Sequence, residues 1–140
     1  MLPKVRKFEH ADIDTVARML QNVPDGWSRT ALAESLENDS IKSFVLETDN
    51  TAVAFASFVV ADDAELVFVV TDEVYKRKGY GKILLTESIK QLGLPCVLEV
   101  RESNTPAIKL YEKLGFEFLG ARKNFYSNPK ENALIYKLDL

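Results

Sequence analysis

A chain of 140 residues with 46% hydrophobic and 28% charged side chains is long enough for one hydrophobic core, so residues 1–140 are expected to fold as one globular domain. Its net charge of −3 gives no general attraction to nucleic acid. A single cysteine, Cys96, and a single histidine, His10, exclude a disulfide framework and a Cys/His metal site within one chain, and no metal is expected.

The opening segment is charged with no apolar run after it, and no stretch is apolar enough to span a bilayer; the expectation is a cytoplasmic protein with no membrane partner. Residues 4–8 suit a short first strand. From Asp12 the spacing turns helical, with Ile13, Val16, Ala17 and Leu20 on one face. Pro24-Asp25-Gly26 makes a turn, and Ser28 can cap a second helix that turns Leu32 and Leu36 inward. Residues 43–47 and 53–60 read as paired strands around the polar turn Thr48-Asp49-Asn50-Thr51. In residues 65–71 the run Leu66, Val67, Phe68, Val69, Val70 is unbroken, which predicts a central strand buried on both faces. Residues 81–92 form a helix with Leu85, Ile89 and Leu92 on one side, and 96–101 form another strand. Thr105 is the expected cap of the next helix, with Pro106 in its first turn and Gly115 at its end. Strands over 116–121 and 133–138 close an α/β order of β-α-α-β-β-β-α-β-α-β-β.

After the central strand comes Arg77-Lys78-Gly79-Tyr80-Gly81-Lys82, then a helix. Glycines let the backbone turn tightly and approach a ligand, and free N–H groups at a helix start attract an anion. Arg77, Lys78 and Lys82 add positive charge. Taken alone, the same residues also suit a solvated basic turn. The pattern lacks the third glycine of a dinucleotide site and the Gly-Lys-Ser/Thr ending of a nucleotide P-loop. The basic cluster is confined to one turn, unlike the broad face of a nucleic-acid binder.

Lys76-Arg77-Lys78-Gly79-Tyr80-Gly81 resembles the coenzyme A motif Q/R-x-x-G-x-G/A of GNAT-superfamily acetyltransferases, with Lys76 where Gln or Arg is usual. Leu98-Glu99-Val100-Arg101, Ser103-Asn104 and Ala107-x-x-Leu110-Tyr111-x-x-Leu114-Gly115-Phe116 resemble the superfamily's second block. Trp27-Ser28 and Arg122-Lys123-Asn124-Phe125-Tyr126 extend the likeness to the ribosomal-protein-alanine N-acetyltransferases, the RimI-like branch. Glu73 stands where proline often follows Asp72, and Phe125 where this branch often has tyrosine.

The resemblance implies a GNAT fold, a mixed and mostly antiparallel twisted sheet with helices on both faces. It implies acetyl-CoA as cosubstrate, held by Arg77, Lys78, Gly79, Tyr80, Gly81 and Lys82 at its pyrophosphate, by Asn104 along its pantetheine arm, and by the backbone of Val69, Val70 and Thr71. It also assigns the two groups that acetyl transfer needs. Strand alternation sets Val97, Glu99 and Arg101 on one face and Cys96, Leu98 and Val100 on the other. A carboxylate there is costly unless it is ion-paired or functional, and the residues alone leave both open. The resemblance makes Glu99 the base that deprotonates the amine. Tyr111, on the apolar face of its helix, reads by itself as a core tyrosine; the resemblance makes it the acid for the leaving thiolate. The acceptor it implies is a protein N-terminus. A small-amine acetyltransferase, acting on a polyamine, amino acid or aminoglycoside, and a catalytically silent acetyl-CoA sensor are the rival readings.

Overall fold

The computed structural model describes residues 2–140. The strands are β1 (Lys4–Lys7), β2 (Ile41–Thr48), β3 (Thr51–Val60), β4 (Ala64–Thr71), β5 (Cys96–Arg101), β6 (Glu117–Tyr126) and β7 (Glu131–Leu138). The helices are α1 (Ile13–Leu20), α2 (Arg29–Leu36), α3 (Tyr80–Leu92) and α4 (Thr105–Lys113). The strands make one sheet in the order β1-β2-β3-β4-β5-β7-β6, antiparallel except between β4 and β5.

Local chemistry sets the joints between elements. The Ser28 hydroxyl accepts the Ala31 N–H at 3.1 Å and caps α2. Asp49 and Asn50 both take positive φ, 50° and 64°, a pair that suits a primed hairpin turn and matches the twist of β2 and β3. One expectation shifts: Asn104, not Thr105, caps α4, its Oδ1 accepting the Ala107 N–H at 3.3 Å. Both are capping residues, and Pro106 fits inside the first turn with either.

Two apolar layers fill the space on the two faces. On one face Leu84, Leu85 and Ile89 of α3 and Tyr111 of α4 pack on Phe44, Leu46, Leu66, Leu98 and Val100. On the other, Val16 and Leu20 of α1 and Leu32 of α2 pack on Phe8, Val45 and Phe55. Leu84 and Leu85 are fully buried, and each contributes roughly 1.5–3 kcal/mol, which fixes α3 against the sheet.

β4 is central, fourth of seven strands, but it is not buried on both faces. Ser57 pairs with Phe68 and Phe58 with Leu66, so Val67 is an extra residue bulged out of the ladder. The bulge reverses the alternation. Ala64 and Leu66 face the α3 layer, whereas Phe68 and Val70 face the α1–α2 layer, and Val67 is exposed. An apolar run conceals such a bulge, because every residue in it suits either face. β6 also runs further than expected, to Tyr126 rather than Ala121. As the outer strand of the sheet it has solvent on its free side, so Arg122, Lys123 and Asn124 are tolerated in it.

Candidate active site

β4 and β5 pair only at Ala64–Cys96 and Glu65–Val97, then separate. From Leu66 onward β4 has no neighbour on that side, which opens a gap in the middle of the sheet. The Asp72 N–H bonds to the Val53 carbonyl of β3 at 2.8 Å. Antiparallel alternation then turns the backbone groups of Val70 towards β3 and those of Val69 and Thr71 towards the gap. Of the three backbone positions implied by the motif, two therefore line the opening and Val70 does not.

The basic turn sits at the end of this gap. Gly79 has φ 77° and precedes α3 with no side-chain cap. The N–H of Ile83 bonds to the Gly79 carbonyl at 3.2 Å, so the N–H groups of Tyr80, Gly81 and Lys82 have no acceptor within the helix. Arg77, at φ 67°, is held in the left-handed region at a cost of roughly 1–2 kcal/mol. Arg77, Lys78 and Lys82 are exposed, and among the described residues none of them forms an ion pair, whereas Lys76 bonds Glu73 at 2.9 Å. Three free N–H groups and three free cations therefore surround one turn.

Gly81 is informative. Its φ lies outside the left-handed region, and a Cβ built there would meet only Leu110 Cδ2 at 3.6 Å and Thr71 Oγ1 at 4.0 Å, ordinary contacts. The fold itself does not require glycine, although glycine costs the helix roughly 0.5–1 kcal/mol relative to alanine. The same two contacts bring the end of β4, the start of α3 and the side chain before Tyr111 to one point.

Glu99 points to the face opposite α3 and α4, as alternation predicts. Its Oε1 lies 3.9 Å from Nη1 of Arg122, a loose pair whose arginine is 58% exposed. Such a pair contributes little to stability. Its Oε2 is buried and has no hydrogen-bond partner among the described residues. A buried carboxylate oxygen without a donor is costly, and the Arg122 pair leaves this half of the carboxylate unmatched.

Tyr111 is buried in the α3–α4 layer with its ring 5.7 Å from Phe116. Burial, with smaller contributions from Cys96 and Tyr126, pushes its hydroxyl up to about 12. That hydroxyl makes no hydrogen bond to another described residue. Glu99 and Tyr111 thus sit on opposite faces of β5, beside the gap. Asn104 also lies at this end, with its Oδ1 engaged as the α4 cap. Burial pushes the Cys96 thiol up to about 12, and His10 is an exposed partner of Glu37 at 4.0 Å, so neither is poised for nucleophilic work.

Several groups near the site carry no local signal in the sequence. Tyr126 shares the Glu99 face, where its hydroxyl is raised by burial first and by Glu99 next. Arg101 and Glu131 tie the β6–β7 turn to β5. On the α1 side, a cleft of about 380 Å³ runs from Arg18 and Met19 to Val70, Thr71 and Asp72. Arg18 Nη2 stands 3.7 Å from Asp72 Oδ2 at that cleft. A larger open concavity of about 770 Å³ lies outside the α1–α2 turn, and no residue of the sequence-predicted site lines it. These contacts join residues far apart in the chain, so no local pattern marks them.

The description "Acetyltransferase (GNAT) family" fits residues 12–116, and the chain belongs to that family. It is an acetyltransferase whose relatives lie among the RimI-like N-acetyltransferases. It is 36% identical over 121 residues to the [ribosomal protein bS18]-alanine N-acetyltransferase of Haemophilus ducreyi, covering 81% of this chain and 83% of the relative. The Escherichia coli K12 protein of the same name is also 36% identical over 121 residues, with 81% of each chain covered. The crystal structure of the Escherichia coli ribosomal-protein-S18-alanine N-acetyltransferase superposes with a TM-score of 0.86 at 32% identity, covering 99% of this chain and 94% of that one. The expected fold, a mixed sheet with helices on both faces, is the one observed.

Proposed function

We propose that the protein transfers acetyl from acetyl-CoA to the N-terminal α-amino group of a protein, a ribosomal protein being the first candidate. The buried, unpartnered Oε2 of Glu99 beside the parted strands carries this reading. The residues present suit the cosubstrate. Free N–H groups of Tyr80, Gly81 and Lys82 and the charges of Arg77, Lys78 and Lys82 match a pyrophosphate. Backbone groups of Val69 and Thr71 match the amides of the pantetheine arm, and Asn104 retains its amide N–H groups for that arm. The thioester supplies an activated acetyl carbonyl.

Glu99 takes a proton from the attacking ammonium, directly or through water. The amine nitrogen bonds the acetyl carbon, the C–S bond breaks, and the nitrogen loses a second proton as the amide forms. The sulfur leaves as a thiolate and takes one proton from solvent, so the products are an amide, a thiol and one proton released. Tyr111 serves the leaving sulfur. Its pKa of about 12 lies well above the 8.5 or so of an ordinary thiol, so full proton transfer would run uphill by roughly 5 kcal/mol. The hydroxyl therefore works chiefly as a hydrogen-bond donor to the developing thiolate.

An α-amine suits this machinery. Its pKa of about 7.7–8.0, against about 10.4 for lysine, makes the neutral form cheaper by roughly 3–4 kcal/mol at neutral pH. The bS18-alanine names of the relatives support the same acceptor class. The test is Glu99→Gln, which keeps shape and loses proton acceptance. Turnover of a free-N-terminus peptide should fall by about 10²–10⁴-fold at pH 7, with the gap narrowing as pH rises and the amine deprotonates on its own. A variant as active as wild type at pH 7 would return Glu99 to a structural role.

A further inference from the structure

One guanidinium bonds the β6–β7 turn at three acceptors. Arg101 ends β5 and points to the same face as Glu99. Its Nη1 donates to the Pro129 carbonyl at 2.9 Å and to Glu131 Oε2 at 3.2 Å, and its Nη2 donates to the Ser127 carbonyl at 3.1 Å. Its Cζ lies 4.4 Å from the centre of the Tyr126 ring. The side chains are largely withdrawn from water, 26% exposed for Arg101 and 11% for Glu131. Two carbonyls, one carboxylate and one aromatic face thus converge on a single planar fork, a set that lysine cannot reproduce. The other carboxylate oxygen, Glu131 Oε1, accepts the Ser103 N–H at 2.6 Å, just before the α4 cap.

This turn forms one wall of the Glu99 site. Arg122 of β6 approaches Glu99 from one side. Tyr126, at the end of β6, is stacked on the guanidinium two residues along β5 from Glu99. The β6 ladder is irregular here, with the register broken between Arg122 and Tyr126, and β6 has no second neighbour in the sheet. Sheet pairing alone therefore does little to order residues 123–130. The contacts made by Arg101 hold Tyr126, Ser127 and Pro129, while the Asn124 N–H separately donates to Asn132 Oδ1 at 2.9 Å.

We propose that Arg101 is a positioning residue that locks residues 123–130 into an acceptor-binding wall beside Glu99, so that the acceptor meets Tyr126 already ordered. The proposal rests on the acetyltransferase reading above. Arg101 touches neither reacting group, and its loss leaves the turn at residues 76–82 and the Ser103–Glu131 bond in place. The effect should accordingly fall on the acceptor and not on the cosubstrate.

The test uses the full chain with Arg101→Ala and Arg101→Lys. In both, the KM for a free-N-terminus peptide should rise at least tenfold, while the calorimetric affinity for acetyl-CoA stays within twofold of wild type. Amide hydrogen exchange should speed up at residues 123–130 and stay unchanged in β2, β3 and α3. Added guanidinium, at concentrations far below denaturing, should restore much of the peptide KM in Arg101→Ala and none in Arg101→Lys, whose side chain still fills the site. Three outcomes would overturn the proposal: unchanged exchange at 123–130, faster exchange with an unchanged peptide KM, or parallel losses of peptide and acetyl-CoA binding that guanidinium does not restore. The last would make Arg101 merely structural. A wild type inactive on every amine fails the reading of function; an active wild type with unaffected Arg101 variants fails this proposal alone.

Discussion

At Gly81 the effect of added bulk on the fold can be separated from the effect of added charge on a bound phosphate. An alanine Cβ there meets Leu110 at 3.6 Å and Thr71 at 4.0 Å, so nothing in the chain resists it. Replacing glycine by alanine in the first turn of α3 should stabilise the free protein by about 0.5–1 kcal/mol, through helix propensity and a less disordered unfolded chain. For a domain of this size that raises Tm by roughly 2–4 °C. Because the coenzyme A motif accepts alanine at this position, Gly81→Ala should raise Tm and leave acetyl-CoA affinity within a few-fold of wild type. A longer, charged side chain would enter the space where a pyrophosphate approaches the backbone. Gly81→Glu adds repulsion of roughly 3 kcal/mol for each phosphate charge about 5 Å away, at an effective dielectric near 20. Its affinity should fall by more than a hundredfold. Calorimetric titration gives the affinities, and thermal unfolding without ligand gives the stabilities. Unchanged acetyl-CoA affinity in Gly81→Glu would refute the siting of the phosphate, and a lower Tm for Gly81→Ala would refute the packing argument.

Tyr111→Phe keeps the ring and removes the hydroxyl; turnover should fall by about 10²–10³-fold, as for loss of one preorganised donor, with acetyl-CoA affinity nearly intact by calorimetry. Because burial holds that hydroxyl protonated up to about pH 12, the wild-type rate should show no alkaline decline attributable to Tyr111 below pH 10; a limb near pH 9 that disappears in the phenylalanine variant would contradict this. Arg6→Met strips Asp12 of the guanidinium that bonds both its carboxylate oxygens, at 2.8 and 2.9 Å. Desolvation of Asp12 is outweighed in the wild type by Arg6 and the Glu9 N–H, which hold its pKa below the ordinary value. That contribution is present above the unfolded carboxylate pKa and lost as pH falls through the folded one. Denaturant titration should show the variant less stable by about 3 kcal/mol at pH 7, the low end for a broken buried pair, with the difference shrinking below pH 4.

The element order was legible because each element carries its own period and its own punctuation. Ser28 begins a helix and Gly115 ends one where their residue type suggests, Gly115 at φ 98°. The turn at residues 76–82 was legible for the same reason, since glycines and cations sit in one short stretch. What stayed hidden depends on register or on distance along the chain. The Val67 bulge adds one residue to a ladder, and an all-apolar strand gives no sign of it. The choice of Val69 and Thr71 over Val70 follows from hydrogen-bond phase, which no side chain encodes. The clasp of Arg101 on Ser127, Pro129 and Glu131 spans 26 to 30 residues, beyond any local pattern. Glu99 was marked by its place between Leu98 and Val100, but only the unpartnered Oε2 separates it from a structural ion pair.

The central claim is acetylation of a protein N-terminus, and the most direct measurement is the mass of the product. The purified chain, supplied with acetyl-CoA, would be offered four acceptors: a peptide with a free N-terminal alanine, the same peptide with a blocked N-terminus and an internal lysine, spermidine, and a free amino acid. A mass increase of one acetyl group confined to the free-N-terminus peptide, and located on its first residue by fragmentation, is the expected result. Acetylation of the internal lysine or of the small amines in preference to the alanine peptide would contradict it.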